Sequence, residues 1–487
     1  MKLIYGIQDK PTIGKLLIFA FQQMIAIMAA TLLVPLIITS QGLEMDPAAA
    51  LFGAGVGTLV YITCTKRKSP VFLGSSFTFL GAMGAAAAQN YGYWGLIIGV
   101  GFAGLVYLII ALIIKFVGSA WVNKLLPAVI IGPIVALIGL SLSGTATDWL
   151  MHNGGTDYNL LSILCGLVAF FTIVLTSVKG GKTLKLIPFI IGIGAGYALA
   201  LIFTLIGKAA GVAYLQILDF TPFIETFGEI RLQSFLDYPK FTFLMGIETA
   251  GQYAPIDGAA IGNLALLFAP IGIVELAQHI ADHKNLGNII EKDLITDPGL
   301  SSTLLGDGLG SIVGAIFGGC ANTTYGESVG CVAITKNASV VTIICAAIGC
   351  ILLSFISPFV ALINSIPKCV MGGACVALYG FIAVSGLQML KEVDLGDNRN
   401  LFVVSSILVC GIGGLVLNFG TNQTTGASLL SITSIAAALI VGIITNLIVN
   451  IGKNNEEAQD ALSASASAMK DVSPAAEKEE KTEPDRD

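Results

Sequence analysis

The sequence predicts an all-α polytopic membrane protein of fourteen transmembrane segments, arranged as two inverted repeats of seven. Three observations carry that expectation. Apolar residues fill 55% of the 487 positions and charged residues only 11%, with mean hydropathy +0.85; soluble domains carry roughly 25% charge. The apolar residues gather in runs near the length of about 20 that spans a bilayer as helix. Lys and Arg fall almost wholly on one side of the chain once every run is taken to cross. A water-soluble multidomain enzyme is excluded, because a surface this poor in charge would not stay dispersed. The 57 glycines fit closely approaching membrane helices.

In chain order, clear spans begin with Leu16–Ile38, Ala48–Cys64, Tyr93–Val117, Leu125–Leu142, Leu160–Val178 and Leu184–Ile206. A second series runs Ala259–His279, Leu304–Phe317, Val340–Ile363, Cys369–Met389, Leu401–Asn418 and Ala427–Val449. Two further segments, Pro70–Gln89 and Ala321–Thr335, are apolar but interrupted by Gly, Ser, Thr and Asn. If these also cross and the N-terminus lies inside, the outer face keeps only Lys208, Arg231, Lys240 and Lys368 of the 25 basic residues. Without them the alternation fails after the second span. Each interrupted segment is then the third crossing of its half, and an odd number of crossings per half inverts the second half. Paired broken helices in inverted repeats characterise secondary transporters.

The remaining segments carry less. Residues 209–256 read as an outer connector with a short amphipathic helix, and His152 as a solvated residue of an outer loop. From Lys453 onward the tail holds 5 basic and 10 acidic residues and is expected to be disordered in the cytoplasm. The nine cysteines are dispersed, so neither disulfides nor a metal site is expected. No basic stripe with interleaved aromatics suggests nucleic acid. The sequence calls for no cofactor and no catalytic constellation, and the expected protein is not an enzyme.

Carboxylates within a span are costly, by about 2.5–3.5 kcal/mol or more at mid-helix. Glu275 lies deep in an apolar helix, with His279 one turn later on the same face. His283 extends that stripe, but beside Asp282 and Lys284 it reads as interfacial. Asp307 sits between Gly306 and Gly308, where it can act in the site or brace helix packing. Glu327 follows Asn322-Thr323-Thr324-Tyr325-Gly326 in the second interrupted segment. In the first, Pro70 to Leu73 favours extended chain, and Gly74–Ser76 reads as a turn and helix cap before an apolar run.

Extended chain at membrane depth must be satisfied within protein, so the two interruptions are expected to pair as short strands. Their half-helix N-termini would then aim free N–H groups, from Phe77 and Gly326, at one point. Phe77 and Tyr325 draw their interest from standing at the breaks. With Glu275 and Glu327 as acceptors, that point suits a neutral planar ring bearing alternating C=O and N–H groups, a nucleobase. Glu275 and His279 form a candidate proton site. An anion transporter would want Arg or an uncharged pocket where this chain supplies Glu327.

These residues resemble the nucleobase–ascorbate transporter family, in its bacterial uracil-transporting branch, over essentially the whole chain except the tail. The resemblance rests on Ala30-Thr31-Leu32-Leu33-Val34-Pro35, Leu73-Gly74-Ser75-Ser76-Phe77, Glu275 with His279, Lys292-Asp293-Leu294, Asp297-Pro298-Gly299-Leu300 and Asn322 to Glu327. The family signature appears as Glu327-Ser328-Val329-Gly330 through Thr335-Lys336, with Ser328 replacing the usual Asn. Gln22-Gln23 stands where close relatives carry Gln-His.

The resemblance implies a core domain (1–117 and 257–363) and a gate domain (118–208 and 364–450), joined by the connector 209–256 and followed by the tail 451–487. It implies an elevator-like motion between them, and two short antiparallel strands in the third and tenth segments. It assigns base binding to Phe77, Glu275, Tyr325, Gly326 and Glu327, and proton coupling to Glu275 and His279. Support falls to Gln23, Asp307, Asn322 and Ser328. Uracil and a proton are the implied cargo, with xanthine or another purine as the alternative within the same fold. The setting implied is the cell membrane, with both termini cytoplasmic and a dimer formed through the gate domain.

Overall fold

The structure, a computed structural model, describes residues 3–118, 121, 126–181, 184–421 and 428–451. Nine helices among the described residues are long and apolar enough to cross a bilayer: Ile13–Ser40, Pro47–Cys64, Gly92–Val117, Ala128–His152, Leu160–Lys179, Pro188–Ala210, Gly258–Ile290, Ile295–Gly318 and Lys368–Met389. Shorter apolar helices occupy Phe77–Ala88, Val340–Leu353, Asn398–Ile412 and Ser434–Val449. The tail beyond residue 451 lies outside the described residues.

The helices pack in two groups. In the first, Leu300–Gly318 lies against Pro47–Cys64 and Gly92–Val117, with Ile13–Ser40, Gly258–Ile290 and Val340–Leu353 around them. In the second, Lys368–Met389 contacts Ala128–Ser141, Ser143–His152 and Leu160–Lys179. Pro188–Ala210, Asn398–Ile412 and Ser434–Val449 complete that group.

Glycine permits the closest approach of the first group. A Cβ on Gly53 would stand 2.9 Å from the carbonyl oxygen of Gly314, and one on Gly57 2.8 Å from that of Gly310. The two backbones touch without side chains between them, the small-residue packing typical of lipid-embedded helices. Gly57→Leu should therefore force the helices apart, at about 1–3 kcal/mol or more. The thermal midpoint of the detergent-purified protein should fall; an unchanged midpoint would mean the seam is looser than described.

Both interrupted segments contain a three-residue strand. Leu73–Ser75 pairs antiparallel with Asn322–Thr324, with Gly74 opposite Thr323. Every polar group of such a pair must find a partner in protein. Leu73 N donates to Thr58 Oγ1 at 2.9 Å, Phe72 N to Ser328 Oγ at 3.0 Å, and Ser76 N to Ala321 O at 2.9 Å. Ser311 Oγ donates to Asn322 O, and Asn322 Nδ2 to Gly53 O at 2.8 Å. The chain turns helical after each strand: Ser76 and Tyr325 are extended caps, and helices follow at Phe77–Phe79, Leu80–Ala88 and Gly326–Thr335.

Several expected boundaries move. The helix read as Ala259–His279 runs Gly258–Ile290, because Asp282 and His283 find polar partners inside the protein. Val340–Ile363 splits into Val340–Leu353 and Ser357–Asn364, the second helix starting with Pro358 in its first turn. In place of the expected spans Leu401–Asn418 and Ala427–Val449, the helices are Asn398–Ile412 and Ser434–Val449. Between them Leu417–Thr421 pairs with Ser428–Ile432, a second strand pair beyond the one expected. Gly413 and Gly414 end the helix there, Gly414 with φ +72. His152 is not in a loop: it closes the helix Ser143–His152, with Nδ1 2.8 Å from Asp148 Oδ1 one turn earlier. The connector holds two short helices, Thr221–Phe227 and Thr242–Glu248, where one was expected.

Candidate functional site

A cavity of about 440 Å³ lies where the strand pair and its half-helices face the second helix group. One wall carries Ser76, Phe77 and Thr78 from the first interruption, Thr323 to Glu327 from the second, and Glu275, Gln278 and Asp282 from the long helix. The opposite wall is mostly apolar, with Val135, Ile138, Phe189, Leu378, Phe381 and Ile382, and carries Ser385 and Lys185 as its polar members. Phe77 bridges the two, its ring edge-on to Tyr379 at 5.7 Å.

Glu275 is 2% exposed. Its Oε1 accepts hydrogen bonds from Ser76 Oγ and, at 3.2 Å, from Thr323 Oγ1, one donor from each interrupted segment. Its Oε2 is buried and makes no hydrogen bond within 3.5 Å among the described residues, although the Thr78 side chain also interacts with the carboxyl. A buried acceptor left open in this way marks a place for a ligand donor. Glu327, half-buried, stands in the first turn of Gly326–Thr335 and lines the same cavity. Phe77 and Gly326 are the first residues of their helices, so their N–H groups have no intrahelical acceptor.

Of the other expected residues, Tyr325 is part of this wall, and His279, Asp307, Gln23, Ser328 and Asn322 lie behind it. His279 and Asp307 are fully buried and meet at 2.6 Å between Nδ1 and Oδ2, while His279 Nε2 is 3.0 Å from Thr303 Oγ1. Gln23 Nε2 donates to Ser328 Oγ, which also receives Phe72 N. Gln23 and Ser328 therefore brace the first strand from outside the cavity. Asn322 does the same for the second. Tyr325 donates its hydroxyl to Ser75 O at 2.6 Å and covers Gly74, where any side chain would collide with its ring.

A model of a permease family matches residues 14–420. The chain belongs to that family. The nucleobase-transporter resemblance read from the motifs is thus borne out. The permease is 38% identical over 452 residues to a uracil permease of Bacillus caldolyticus, covering 92% of this chain and 95% of that one. It is 32% identical to a uracil permease of Escherichia coli (strain K12), covering 91% and 95%. Among solved structures it resembles the transmembrane domain of a cyanobacterium bicarbonate transporter, BicA, with TM-score 0.53 at 14% identity, covering 91% of this chain and 100% of that one. The overall structure of SLC26A9 gives TM-score 0.59 at 11% identity, covering 91% and 66%. At such identities the likeness is one of fold. With nine long apolar helices among its described residues, the permease is a multi-pass membrane transport protein.

The permease site also holds residues that sequence reasoning missed. Ser76 and Thr323, which the sequence marks only as turn and strand residues, each donate to Glu275. Asp282, read only as a neighbour of an interfacial histidine, lines the cavity and accepts from Gln278 Nε2 and Thr324 Oγ1, each at 3.1 Å. His283 is fully buried rather than interfacial: Nδ1 donates to His279 O at 2.8 Å, and Nε2 is 2.6 Å from the Tyr61 hydroxyl. A helical wheel extended past His279 puts Asp282 and His283 near the Glu275 face. That signal was available.

Proposed function

We propose that the permease imports uracil by proton symport, with elevator-type alternating access between a core domain built from the first helix group and a gate domain built from the second. Both termini are cytoplasmic in this reading, which follows from the distribution of Lys and Arg. Fourteen crossings in a seven-plus-seven inverted repeat, and a dimer through the gate domain, belong to the same proposal.

The observation that carries it is the open Oε2 of Glu275 beside two helix N-termini in one cavity. A uracil ring offers two N–H groups alternating with two C=O groups. Glu275 and Glu327 accept the first; the Phe77 and Gly326 backbones donate to the second. The apolar wall opposite stacks on the ring faces and belongs to the gate, so substrate sits at the domain interface. The names of these two relatives agree with this choice of base.

Protonation of Glu275, with His279 and Asp307 behind it, couples the cycle. A membrane potential of 100 mV contributes about 2.3 kcal/mol per charge, roughly a fiftyfold gradient, so one proton suffices for accumulation. The test is uptake of labelled uracil into proteoliposomes with and without an inward proton gradient, against competing thymine, xanthine and uric acid. Gradient-stimulated uptake blocked by unlabelled uracil, and not by the purines, is expected. Stronger competition by xanthine than by uracil would transfer the assignment to a purine, and uptake indifferent to the gradient would remove the proton.

A further inference from the structure

Three carboxylates line the cavity, and the proposed function uses two. The third, Asp282, is seven residues beyond Glu275 on one helix, hence two turns on and on nearly the same face. Each of its two oxygens accepts one hydrogen bond, Oδ1 from Gln278 and Oδ2 from Thr324, so the protein holds it whether or not a base is bound. Its surroundings suit a carboxylate that gains and loses charge. A Cβ on Gly326 would lie 3.9 Å from Asp282 Oδ1, which places the carboxyl at the N-terminus of the half-helix Gly326–Thr335. That end favours the anion.

Thr323 and Thr324 are consecutive on one strand. The first holds Glu275 and the second holds Asp282, so the two acids are mounted on the same backbone. Beyond Asp282 the cavity lining continues to Asn285 and Lys185, both exposed. In the proposed topology that is the cytoplasmic end.

We propose that Asp282 is the inner proton acceptor of the transport cycle, receiving the proton from Glu275 and passing it to the cytoplasm. The inference rests on the proton-symport reading. In the step, the O–H bond of protonated Glu275 breaks and an O–H bond forms on the Asp282 carboxylate, through solvent water in the cavity. Glu275 is left anionic and free to release the base inward; Asp282 then gives the proton to bulk water. The groups facing Asp282 are Gln278 and Glu275 on its own helix, Thr324 on the strand and Glu327 on the half-helix. Gln278 and Thr324 favour the anion, and the charges of Glu275 and Glu327 oppose it.

Asp282→Asn tests the step, because the amide keeps an acceptor for Thr324 but cannot carry the proton. In proteoliposomes, uracil counterflow, which exchanges base for base without net proton release, should persist. Net uptake driven by an inward proton gradient should fall about tenfold or more and lose its dependence on internal pH. Net uptake at the original level with its internal-pH profile intact would overturn the proposal. So would parallel loss of counterflow and net uptake, in a variant whose thermal midpoint matches the original protein, since that marks a substrate ligand. Thr324→Ala, which removes the hydroxyl from Asp282 and leaves Thr323 in place, should shift the internal-pH profile; an unmoved profile counts against the relay. If the unaltered protein shows no proton-stimulated uptake, the symport reading fails, and this inference with it.

Discussion

Glu275→Gln is expected to abolish accumulation and to weaken uracil binding by about tenfold at most, while leaving the fold as stable as before or more so. The substitution is nearly isosteric. Ser76 and Thr323 can still meet the side-chain amide, whichever way it is turned. Turned one way, the amide presents an N–H to the N–H of the base, and the contact becomes repulsive. Turned the other, it presents a neutral carbonyl, the acceptor that protonated Glu275 also presents in the base-bound state, and the hydrogen bond is kept.

Neither orientation can take up a proton, so concentrative uptake stops in both. Stability should hold because a buried carboxylate with one open oxygen is a liability to the empty fold, which an amide reduces. Equilibrium binding of labelled uracil, a thermal-shift series and uptake under a proton gradient separate the three effects. Undiminished accumulation would remove Glu275 from the site.

The sequence made the membrane class plain because the driving force is local. A run of about 20 apolar residues spans a bilayer whatever surrounds it. Interruptions at Gly74–Ser76 and Gly326 were readable for the same reason, since turn and cap chemistry is short-range. Which polar groups would then meet was harder to read, and Asp282 and His283 show why. From the sequence they mark a helix end, because charge next to Lys284 is normally solvated. In the structure Tyr61 and Thr324, both distant in sequence, supply partners that let Asp282 and His283 stay buried while the helix continues to Ile290.

The strand pair Leu417–Thr421 and Ser428–Ile432 was hidden differently. Its residues are apolar enough to pass for helix on hydropathy. Only Gly413 and Gly414 signal the stop, in a sequence where glycine elsewhere sits within helices, as at Gly53 and Gly314. Bracing roles were the least legible of all. Gln23 and Ser328 meet across 305 positions of chain, and nothing in either neighbourhood announces the contact.

Asp307→Ala should be among the most damaging single substitutions, for a reason distinct from transport. Asp307 and His279 are both inaccessible to solvent and share one hydrogen bond at 2.6 Å. Thr303 donates its hydroxyl to Leu300 O at 3.1 Å and so accepts from His279 Nε2. With Nε2 donating, the pair holds one further proton between Nδ1 and the carboxyl, and removing the carboxylate leaves an imidazole whose Nδ1 has no partner. Breaking a buried pair on one side costs about 3–5 kcal/mol, and truncation of a close-packed side chain beside Gly306 and Gly308 adds a cavity.

Asp307→Asn retains an acceptor and should lose less, about 1–3 kcal/mol. The informative case is the double variant His279→Leu with Asp307→Leu. Replacing both partners by apolar groups is often neutral or stabilising, so its thermal midpoint should recover most of what Asp307→Ala loses. Proton-driven uptake should stay lost, because Glu275 no longer has the pair behind it. A double variant as unstable as the single one would mean that the two side chains do not stabilise each other. Recovery of uptake along with stability would assign the pair to packing alone and place coupling entirely on the carboxylates of the cavity.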